Sequence, residues 1–317
     1  MSLVLVTGAG GRMGSALLPA LLARGDKVRA VVRPGSRHPF HESIECIEHD
    51  LSKAPLPSTA FEGVDKVAHI AGLVGSHPYN ELMAANANAT KNMLYFCPTS
   101  VRKIVIASSI SVYGEYKGQV VDESFEARTE SPYGKSKLMA EDFARDYVDS
   151  LPIVFLRFGM VYGPGFEEGY FAVLDYIKRG KMQIIGDGLN RIPLVHINDV
   201  VQAFLVALDK QSERGRAYNI CGSEQLTQQE LLELAAEALE MPAPTKHIHP
   251  AMISMALAMQ GFTGKKASLD PENIRQLTMD RAYSIERAKK ELGWSPKVKA
   301  KDGISEMARL FKESKQA

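Results

Sequence analysis

Apolar residues follow two different periods along the first half of the chain. Short runs rich in valine, isoleucine and leucine predict strands at residues 3–8, 27–33, 66–72, 103–109 and 152–159. Apolar residues at helical spacing predict helices at residues 15–24, 81–96 and 136–150. Strands and helices in this alternation build βαβ units, so the pattern predicts an α/β fold with a parallel sheet.

The second half of the chain is less regular. Glycine-rich turns surround a short helical stretch, and residues 195–210 predict a longer helix with Asn198 or Asp199 near its start. Residues 217–222 predict one more strand. From Thr227 the pattern is mainly helical, and it begins with the Thr-x-x-Glu form of a capping box.

This change of pattern predicts two domains. We expect residues 1–164 and 191–222 to form the sheet domain. Residues 165–190 and 223–317 are expected to form a smaller, partly discontinuous and mainly helical substrate domain.

Composition indicates a globular protein with a small-molecule partner. The chain has 317 residues, of which 45% are hydrophobic, and 38 Lys and Arg balance 37 Asp and Glu. A balanced charge gives no field that favours nucleic acid or an anionic membrane. No apolar run approaches the roughly 18 residues of a membrane span, and no leader with a cleavage site begins the chain. Three scattered cysteines and no ligand set for a metal are consistent with a reducing cytoplasm.

The stretch "TGAGGRMG" carries the first chemical motif. Gly8, Gly11 and Gly14 come directly after the first strand and open a helix, with Arg12 and Met13 between the last two glycines. Glycines allow a tight turn and a close approach of the backbone to a pyrophosphate, whose charge meets the N–H groups at the helix start. The motif predicts a dinucleotide-binding loop.

A tyrosine and a lysine form a second motif in "SPYGKSKLMAED". Tyr133 and Lys137 are four residues apart at the head of a helix, and therefore lie on one face. A lysine beside a phenol favours the phenolate, so we expect Lys137 to lower the Tyr133 pKa toward a value useful in proton transfer. The stretch "IASSISVYG" places Ser109 at the carboxyl end of the strand that starts at Lys103, where doubly wound folds bind ligands.

Together, the Gly-x-x-Gly-x-x-Gly spacing, "SSISVYG" and "SPYGKSK" resemble the extended short-chain dehydrogenase/reductase superfamily, also called the NAD(P)-dependent epimerase/dehydratase family. The resemblance implies a Rossmann-type doubly wound parallel sheet and a hydride transfer. It makes Tyr133 the proton donor, Ser109 the catalytic hydroxyl and Lys137 a ligand of the nicotinamide ribose. It adds Asn86 in "NANATKN" as a further catalytic residue, and implies a homodimer.

Further cofactor residues follow from the same resemblance. Asp50 and Leu51 in "HDL" correspond to an adenine contact, and Ala71 and Gly72 in "HIAG" to the segment under the pyrophosphate and ribose. Val161 in "LRFGMVYGPG" lies in the turn beside the nicotinamide. These matches spread over nearly the whole chain.

The residue that follows the second strand indicates which dinucleotide is used. Family members that use NAD place an aspartate about eighteen residues beyond the last glycine, where it binds the ribose hydroxyls. That position is Val32 here, and Arg33 follows it. Arg33, Arg12 and Arg37 could pair with a 2′-phosphate, so NADP is favoured and NAD remains possible.

Several positions at which this chain differs from the sugar enzymes of the family indicate its substrate class. The arginine with which the nucleotide-sugar epimerases meet a diphosphate is Ile192 here, with Arg191 beside it. An expected asparagine is Met160, and the Asp-Glu pair of the sugar dehydratases is replaced by Ile110 and Ser111.

The chain is more similar to the branch of dihydroflavonol reductases and 3β-hydroxysteroid dehydrogenases. Met252, Met255 and Met259 suit an adaptable apolar pocket. The expected activity is interconversion of a carbonyl and a secondary alcohol. Two alternatives are a nucleotide-sugar epimerase with retained NAD and a non-catalytic NADP-sensing protein.

Overall fold

A seven-stranded parallel sheet forms the centre of the molecule. The computed structural model describes residues 1–36, 40–252 and 278–315. In chain order the seven strands are β1 (Leu3–Thr7), β2 (Lys27–Val32), β3 (Glu45–Glu48), β4 (Lys66–His69), β5 (Lys103–Ser109), β7 (Ile153–Phe158) and β11 (Ala217–Ile220). Across the sheet they run β11-β7-β5-β4-β1-β2-β3, every pair parallel. The predicted strands and the doubly wound Rossmann-type sheet are confirmed.

The order of the strands reverses at β1, which pairs with β2 on one side and with β4 on the other. Ligands of doubly wound sheets bind outside the carboxyl ends of the strands at such a switch point. This reversal locates the candidate site above the ends of β1, β4 and β5.

Some helices cover the faces of the sheet, and others form a separate group beside it. They are α1 (Arg12–Ala23), α2 (Tyr79–Leu82), α3 (Ala89–Leu94), α4 (Pro132–Arg145), α5 (Glu167–Lys178), α6 (Ile197–Asp209), α7 (Gln228–Leu239) and α8 (Ala300–Ser314). A π-helical segment, Met83–Asn88, joins α2 to α3, and a second one spans Ala288–Leu292.

Three short parallel pairs lie outside the main sheet. They are β6 (Val120–Val121) with β13 (Ala282–Tyr283), β8 (Met160–Tyr162) with β10 (Leu194–His196), and β9 (Ile184–Ile185) with β12 (His247–Ile248).

The helix starts show why these segments become helical. Helix α1 begins three residues before the predicted start, and α4 begins four residues earlier because Ser131 caps it, accepting a 2.9 Å hydrogen bond from the Gly134 N–H. The capping box is confirmed at α7, where Thr227 and Glu230 each accept the other's backbone N–H.

Apolar side chains form three clusters. Two lie on opposite faces of the main sheet, one built around Leu17 and Phe204 and the other around Met93 and Phe155. The third joins α5, α7 and α8 through side chains such as Phe311. Burial of these faces is the main stabilising contribution to the fold. In the part of the chain that the structure describes, no helix is long and apolar enough to cross a membrane.

Candidate active site

The glycine-rich turn packs tightly against the loop after β4. Gly8 has a φ of +68°, and a Cβ there would lie 2.6 Å from the Ala71 backbone nitrogen. A Cβ at Gly14 would lie 2.4 Å from the Gly8 carbonyl oxygen, which also accepts a 2.9 Å hydrogen bond from the Gly11 N–H. Helix α1 then starts at Arg12 with no side-chain cap and no acidic residue in its first turn. The first N–H groups of α1 are therefore suited to an anion.

A buried histidine fixes the shape of the loop after β4. His69 is hydrogen-bonded through Nδ1 to the Thr7 hydroxyl at 2.7 Å and through Nε2 to the Thr90 hydroxyl at 3.0 Å. The Thr7 hydroxyl also accepts bonds from the N–H groups of residues 70–71. Burial, with a smaller effect of the Lys137 charge, lowers the pKa of His69 to about 3, so this histidine is neutral. Through the Thr7 hydroxyl, it holds Ile70 and Ala71 beside the glycine turn.

Asn86 connects the same loop to helix α4. Its Oδ1 accepts a 2.8 Å bond from the Leu73 N–H, and its Nδ2 donates to the Leu73 carbonyl at 3.0 Å and to the Ser136 hydroxyl at 2.9 Å. A Cβ at Gly72 would lie 2.6 Å from Oδ1, so only glycine fits against this amide. The side chain predicted to be catalytic is engaged here in holding backbone and α4.

Ser109 and Tyr133 meet at the carboxyl end of β5. Ser109 lies close enough to the Tyr133 phenol to influence its pKa, and Ser109 Oγ accepts a 3.1 Å bond from the Ser111 N–H. Burial raises the pKa of Tyr133 to about 12, and the Ser109 hydroxyl opposes that rise. Tyr133 is therefore a protonated phenol at neutral pH.

Lys137 is hydrogen-bonded to the backbone of β5. Its Nζ donates a 2.6 Å hydrogen bond to the Ala107 carbonyl oxygen on β5, and burial lowers its pKa to about 8. The expectation that Lys137 lowers the Tyr133 pKa is wrong for this structure, because desolvation of the phenol dominates and the ammonium is bonded to Ala107.

A buried acid behind these residues has no counterpart in the sequence analysis. Glu141, one turn after Lys137 on α4, is fully buried and accepts bonds from Arg157 Nε at 2.9 Å and Nη2 at 2.6 Å. Ser108 and Arg145 also donate to it, at 2.5 and 2.8 Å. A sequence signal existed: a glutamate four residues after Lys137, and a single arginine inside an apolar strand.

The region predicted to contact the adenosine begins at the last residue of β2. Val32 is buried, and its carbonyl accepts a 2.8 Å bond from the His49 N–H. Arg33 is exposed, and its guanidinium has no hydrogen bond or ion pair among the described residues. Glu48, which pairs in register with Val32, accepts a 3.3 Å bond from the Gly35 N–H. Val32 leaves no carboxylate at the position that NAD enzymes use.

The two other arginines proposed for a 2′-phosphate differ from Arg33. Arg12 forms a 2.7 Å ion pair with Glu168 on α5 and lies over the Phe166 ring at 5.6 Å. The structure thus places Arg12 against the segment that follows β8. Arg37 lies outside the described residues.

The remaining residues predicted to contact the cofactor lie in the loop after β3, in α1 and in β8. Asp50 accepts bonds from the N–H and hydroxyl of Ser52, which hold the pKa of Asp50 below its usual range. Leu51 is buried, Met13 packs against the first apolar cluster, and Val161 is half-buried in β8.

Arg191, beside the position at which the family's nucleotide-sugar epimerases place an arginine, is already paired. Arg191 donates from Nε and Nη2 to Asp280 at 2.8 and 2.6 Å. Ile192 beside it is buried, whereas Met160 at the start of β8 is 38% exposed. Met252 is exposed, and the other two methionines of the predicted pocket lie outside the described residues. In the described chain, no group of three or more His, Cys, Asp or Glu side chains could hold a metal ion.

Comparison with known proteins agrees with this arrangement. Residues 4–221 match the model of the NAD dependent epimerase/dehydratase family. The chain belongs to this family. Members of the epimerase/dehydratase family are NAD(P)-dependent enzymes of the extended short-chain dehydrogenase/reductase type. A close-packed glycine turn and an uncapped α1 start fit the dinucleotide that such an enzyme binds.

Similar curated proteins of the epimerase/dehydratase family include both reductases and an epimerase. A 3β-hydroxysteroid dehydrogenase/Δ5→4-isomerase of Mycobacterium tuberculosis is 26% identical, over 96% of this chain and 88% of that protein. A 2-alkyl-3-oxoalkanoate reductase of Stenotrophomonas maltophilia is 27% identical, over 95% and 97%. An uncharacterised UDP-glucose epimerase, YtcB, of Bacillus subtilis is 28% identical, over 95% of each chain.

Solved structures of the family share the whole fold. The UDP-glucuronic acid 4-epimerase of Bacillus cereus in complex with NAD superposes with a TM-score of 0.79, at 24% identity, over 98% of this chain and 99% of that one. MoeE5 in complex with UDP-glucose and NAD gives 0.78, at 26% identity, over 99% of each chain. The first likeness shows the fold alone.

Proposed function

We propose that this protein is an NADP-preferring oxidoreductase that interconverts a carbonyl and a secondary alcohol on a small, largely apolar substrate. The pairing of Arg191 with Asp280 carries the choice of substrate. An arginine held by two hydrogen bonds to a carboxylate is not available to a nucleotide diphosphate, and its neighbour Ile192 is buried. The exposed Met160 presents an apolar surface in the same region.

The proposed chemistry assigns one role to each residue near the end of β5. The bound dinucleotide supplies or accepts the hydride. Tyr133 donates its phenolic proton to the carbonyl oxygen, and Ser109 hydrogen-bonds the same oxygen and so stabilises the charge that develops on it. Lys137, which bonds Ala107 here, would hold the nicotinamide ribose and stabilise the phenolate left on Tyr133.

The electrostatics of the site favour reduction. With a pKa of about 12, Tyr133 carries its proton throughout the physiological range and is ready to act as an acid. Oxidation of an alcohol needs the phenolate instead, which a cationic Lys137 supports below a pH of about 8. The protonated Tyr133 therefore suits the role of acid in carbonyl reduction near neutral pH.

The NADP preference is supported by Arg33. Its guanidinium is exposed and unpaired among the described residues, and the preceding residue is a buried valine. Because Arg12 is paired with Glu168, we assign the 2′-phosphate contact to Arg33. A reductase with net turnover requires a dinucleotide that exchanges after each cycle.

A nucleotide-sugar epimerase is the second candidate. The identity with YtcB and with MoeE5, which binds UDP-glucose and NAD, favours it. Such an enzyme oxidises and re-reduces one carbon, so it retains its NAD and shows no net cofactor turnover. The third candidate, a non-catalytic NADP-sensing protein, would bind NADP and turn over no substrate.

One experiment separates the three candidates. The purified protein is denatured and the released dinucleotide is measured, and the protein is then assayed for NADPH and NADH oxidation with ketones, aldehydes and nucleotide-sugars. We expect little retained cofactor and NADPH oxidation with an apolar carbonyl compound. Stoichiometric retained NAD together with epimerisation of a nucleotide-sugar would overturn the reductase, and NADPH binding without any turnover would favour the sensor.

The proposal also covers the location of the protein in the cell, its oligomeric state and its division into domains. We propose a cytoplasmic homodimer that packs through α3 and α4. Tyr95 and Phe96, which follow α3, and Met139 on α4 are 56%, 48% and 37% exposed. We also keep the two-domain division given above, which the apolar cluster joining α5, α7 and α8 supports. Light scattering of the wild type and of Phe96→Asp tests the dimer.

A further inference from the structure

Helix α4 presents a stripe of four functional groups toward the sheet. Tyr133, Lys137, Glu141 and Arg145 recur every four residues and therefore share one face of the helix. Glu141 has no exposed surface, and Arg157 on β7 binds its carboxylate through two nitrogens. Arg157 is itself 4% exposed and lies over the Tyr113 ring at 4.7 Å. A buried acid with such partners stays ionised.

The same carboxylate is bonded to the strand that carries the catalytic hydroxyl. Ser108 donates a 2.5 Å hydrogen bond to Glu141 Oε1. Successive residues of a strand point to opposite sides, so a bond at Ser108 fixes the direction of Ser109. Among the described residues, the Ser109 oxygen accepts a backbone N–H bond from Ser111 alone, so the position of Ser109 depends on the strand.

Glu141 also acts on Lys137. The Lys137 ammonium bonds the Ala107 carbonyl, one residue before Ser108, and the Glu141 charge opposes the loss of protonation that burial causes. From β4, His69 is neutral because its pKa is lowered to about 3, and Tyr133 is a neutral phenol. Arg157 and Arg145 face the carboxylate from the other side. Glu141 is therefore the negative charge on α4 that supports the Lys137 cation.

We propose that Glu141, held by Arg157, is a positioning residue that directs Ser109 through Ser108 and places a negative charge one turn from Lys137. It touches neither the reacting atoms nor the cofactor. The inference rests on the proposed roles of Ser109 and Lys137. The Glu141 carboxylate would thus align helix α4, which carries the proton donor Tyr133, with strand β5, which carries Ser109.

A titration of Lys137 tests the charge effect without any turnover. Protein labelled with ¹³C-lysine is titrated by NMR, and Lys137→Arg identifies the Lys137 signal. Glu141→Gln preserves the shape and the acceptor for Ser108, and should lower the Lys137 midpoint by about one pH unit. Asp142→Asn is the matched control, because it removes the neighbouring exposed carboxylate. An unchanged midpoint in Glu141→Gln, or an equal shift in Asp142→Asn, would overturn the proposal.

Glu141→Gln leaves Arg157 as an unpaired buried charge, which is strongly destabilising. Should this variant fail to fold, the double variant Glu141→Gln/Arg157→Gln removes both charges and is titrated in its place. A smaller fall of the Lys137 midpoint is expected here, because the positive charge of Arg157 is removed together with the carboxylate. A midpoint at or above the wild-type value in the folded double variant would overturn the proposal.

A kinetic comparison tests the orientation of Ser109. With NADPH and the fastest carbonyl substrate of the panel, Ser108→Ala should lower kcat about tenfold and leave the KM for NADPH unchanged. Ser108→Thr, which restores a hydroxyl, should recover most of the rate. Equal rates for Ser108→Ala and the wild type would contradict the role of Ser108. Failure of the proposed function is a separate outcome. In that case Tyr133→Phe would keep wild-type activity. The lysine titration needs no turnover and would still test the role of Glu141.

Discussion

The guanidinium of Arg12 lies 2.7 Å from the carboxylate of Glu168, and this ion pair joins the glycine-rich turn to helix α5. Both side chains are exposed, at 54% and 84%, so the pair contributes only about 0.2–1 kcal/mol. It nevertheless places a negative charge next to the start of α1, where the anionic cofactor is expected. We therefore expect the Glu168 carboxylate to oppose dinucleotide binding.

Glu168→Gln should strengthen dinucleotide binding. The substitution releases Arg12 and removes a repelling carboxylate, so the Kd of NADPH should fall by about two- to fivefold. Fluorescence titration with NADPH measures the change. Glu167→Gln is the matched control, and an affinity gain of the same size there would attribute the effect to net charge alone.

Tyr133→Phe should remove the proton donor. Loss of a positioned acid typically lowers the rate by a factor of about 10²–10⁴, and the Kd of NADPH should remain within about twofold of the wild type because the phenyl ring is kept. Steady-state kinetics and NADPH titration give the two numbers. Tyr116→Phe, which removes an exposed hydroxyl bonded to the Glu126 carbonyl, is the control. Wild-type turnover in Tyr133→Phe would exclude the proposed acid.

Arg33→Ser should abolish the preference for NADP. A charge-assisted bond to a phosphate contributes roughly 1.5–3 kcal/mol, so the Kd of NADPH should rise about 10- to 100-fold while that of NADH changes little. Calorimetric titration with each dinucleotide measures this. Lys27→Ser removes an exposed positive charge at the other end of β2 and should leave both affinities unchanged. Equal weakening of both dinucleotides by Arg33→Ser would rule out a 2′-phosphate contact.

Gly14→Ala should disturb the turn itself. The new methyl would meet the Gly8 carbonyl oxygen at 2.4 Å, which costs about 1–3 kcal/mol of stability and displaces the N–H groups at the start of α1. We expect a lower Tm and weaker binding of both NADPH and NADH. Gly169→Ala in α5 is the control, because a Cβ there meets nothing within 4 Å. A normal Tm and normal binding in Gly14→Ala would contradict the packing described here.

Buried Lys103 should make stability depend on alkaline pH. Among the described residues, its ammonium is hydrogen-bonded only to the Ser212 hydroxyl, and burial lowers its pKa to about 8 from an ordinary value near 10.5. Between these two values the unfolded chain binds more protons than the folded one. The free energy of unfolding therefore rises with pH across this window, by up to about 1.4 kcal/mol per pH unit.

The measurement compares urea unfolding of the wild type and Lys103→Met from pH 7 to pH 10. Because Lys137 titrates in the same range, the difference between the two proteins is the useful quantity. The wild type should gain stability relative to Lys103→Met as the pH rises past about 8. Lys135→Met, at an exposed lysine, serves as the control. A pH-independent difference for Lys103→Met would refute the buried-lysine account.

Local patterns were sufficient to predict most of the fold. Apolar runs separated by helical stretches predicted the strands and the parallel sheet, and the Thr227 and Glu230 pair predicted its capping box. Strand β3 was not predicted, because an exposed edge strand such as Glu45–Glu48 has little apolar pattern. The helix starts shifted by three or four residues, since glycine and serine preceding the apolar stripe can belong to the first turn.

The candidate site was predictable only as a set of residues. The strand that ends at Ser109 and the helix that begins just before Tyr133 are local features, but only the packing of α4 against β5 brings the two residues together. The Ala107 acceptor of Lys137 and the Asp280 partner of Arg191 are 30 and 89 residues away in sequence. Periodicity and spacing carry no information about such pairs.

The sequence by itself determined the order of strands and helices, the glycine turn that suits a dinucleotide, and the placing of Tyr133 and Lys137 on one helix face. These depend on the dihedral preferences and the repeat of a few neighbouring residues. The tertiary structure alone decided that Arg12 faces Glu168, that Glu141 is buried against Arg157, and that burial raises the pKa of Tyr133 instead of lowering it. Charge interactions and desolvation depend on distance and burial in space, and both arise only when distant segments pack together.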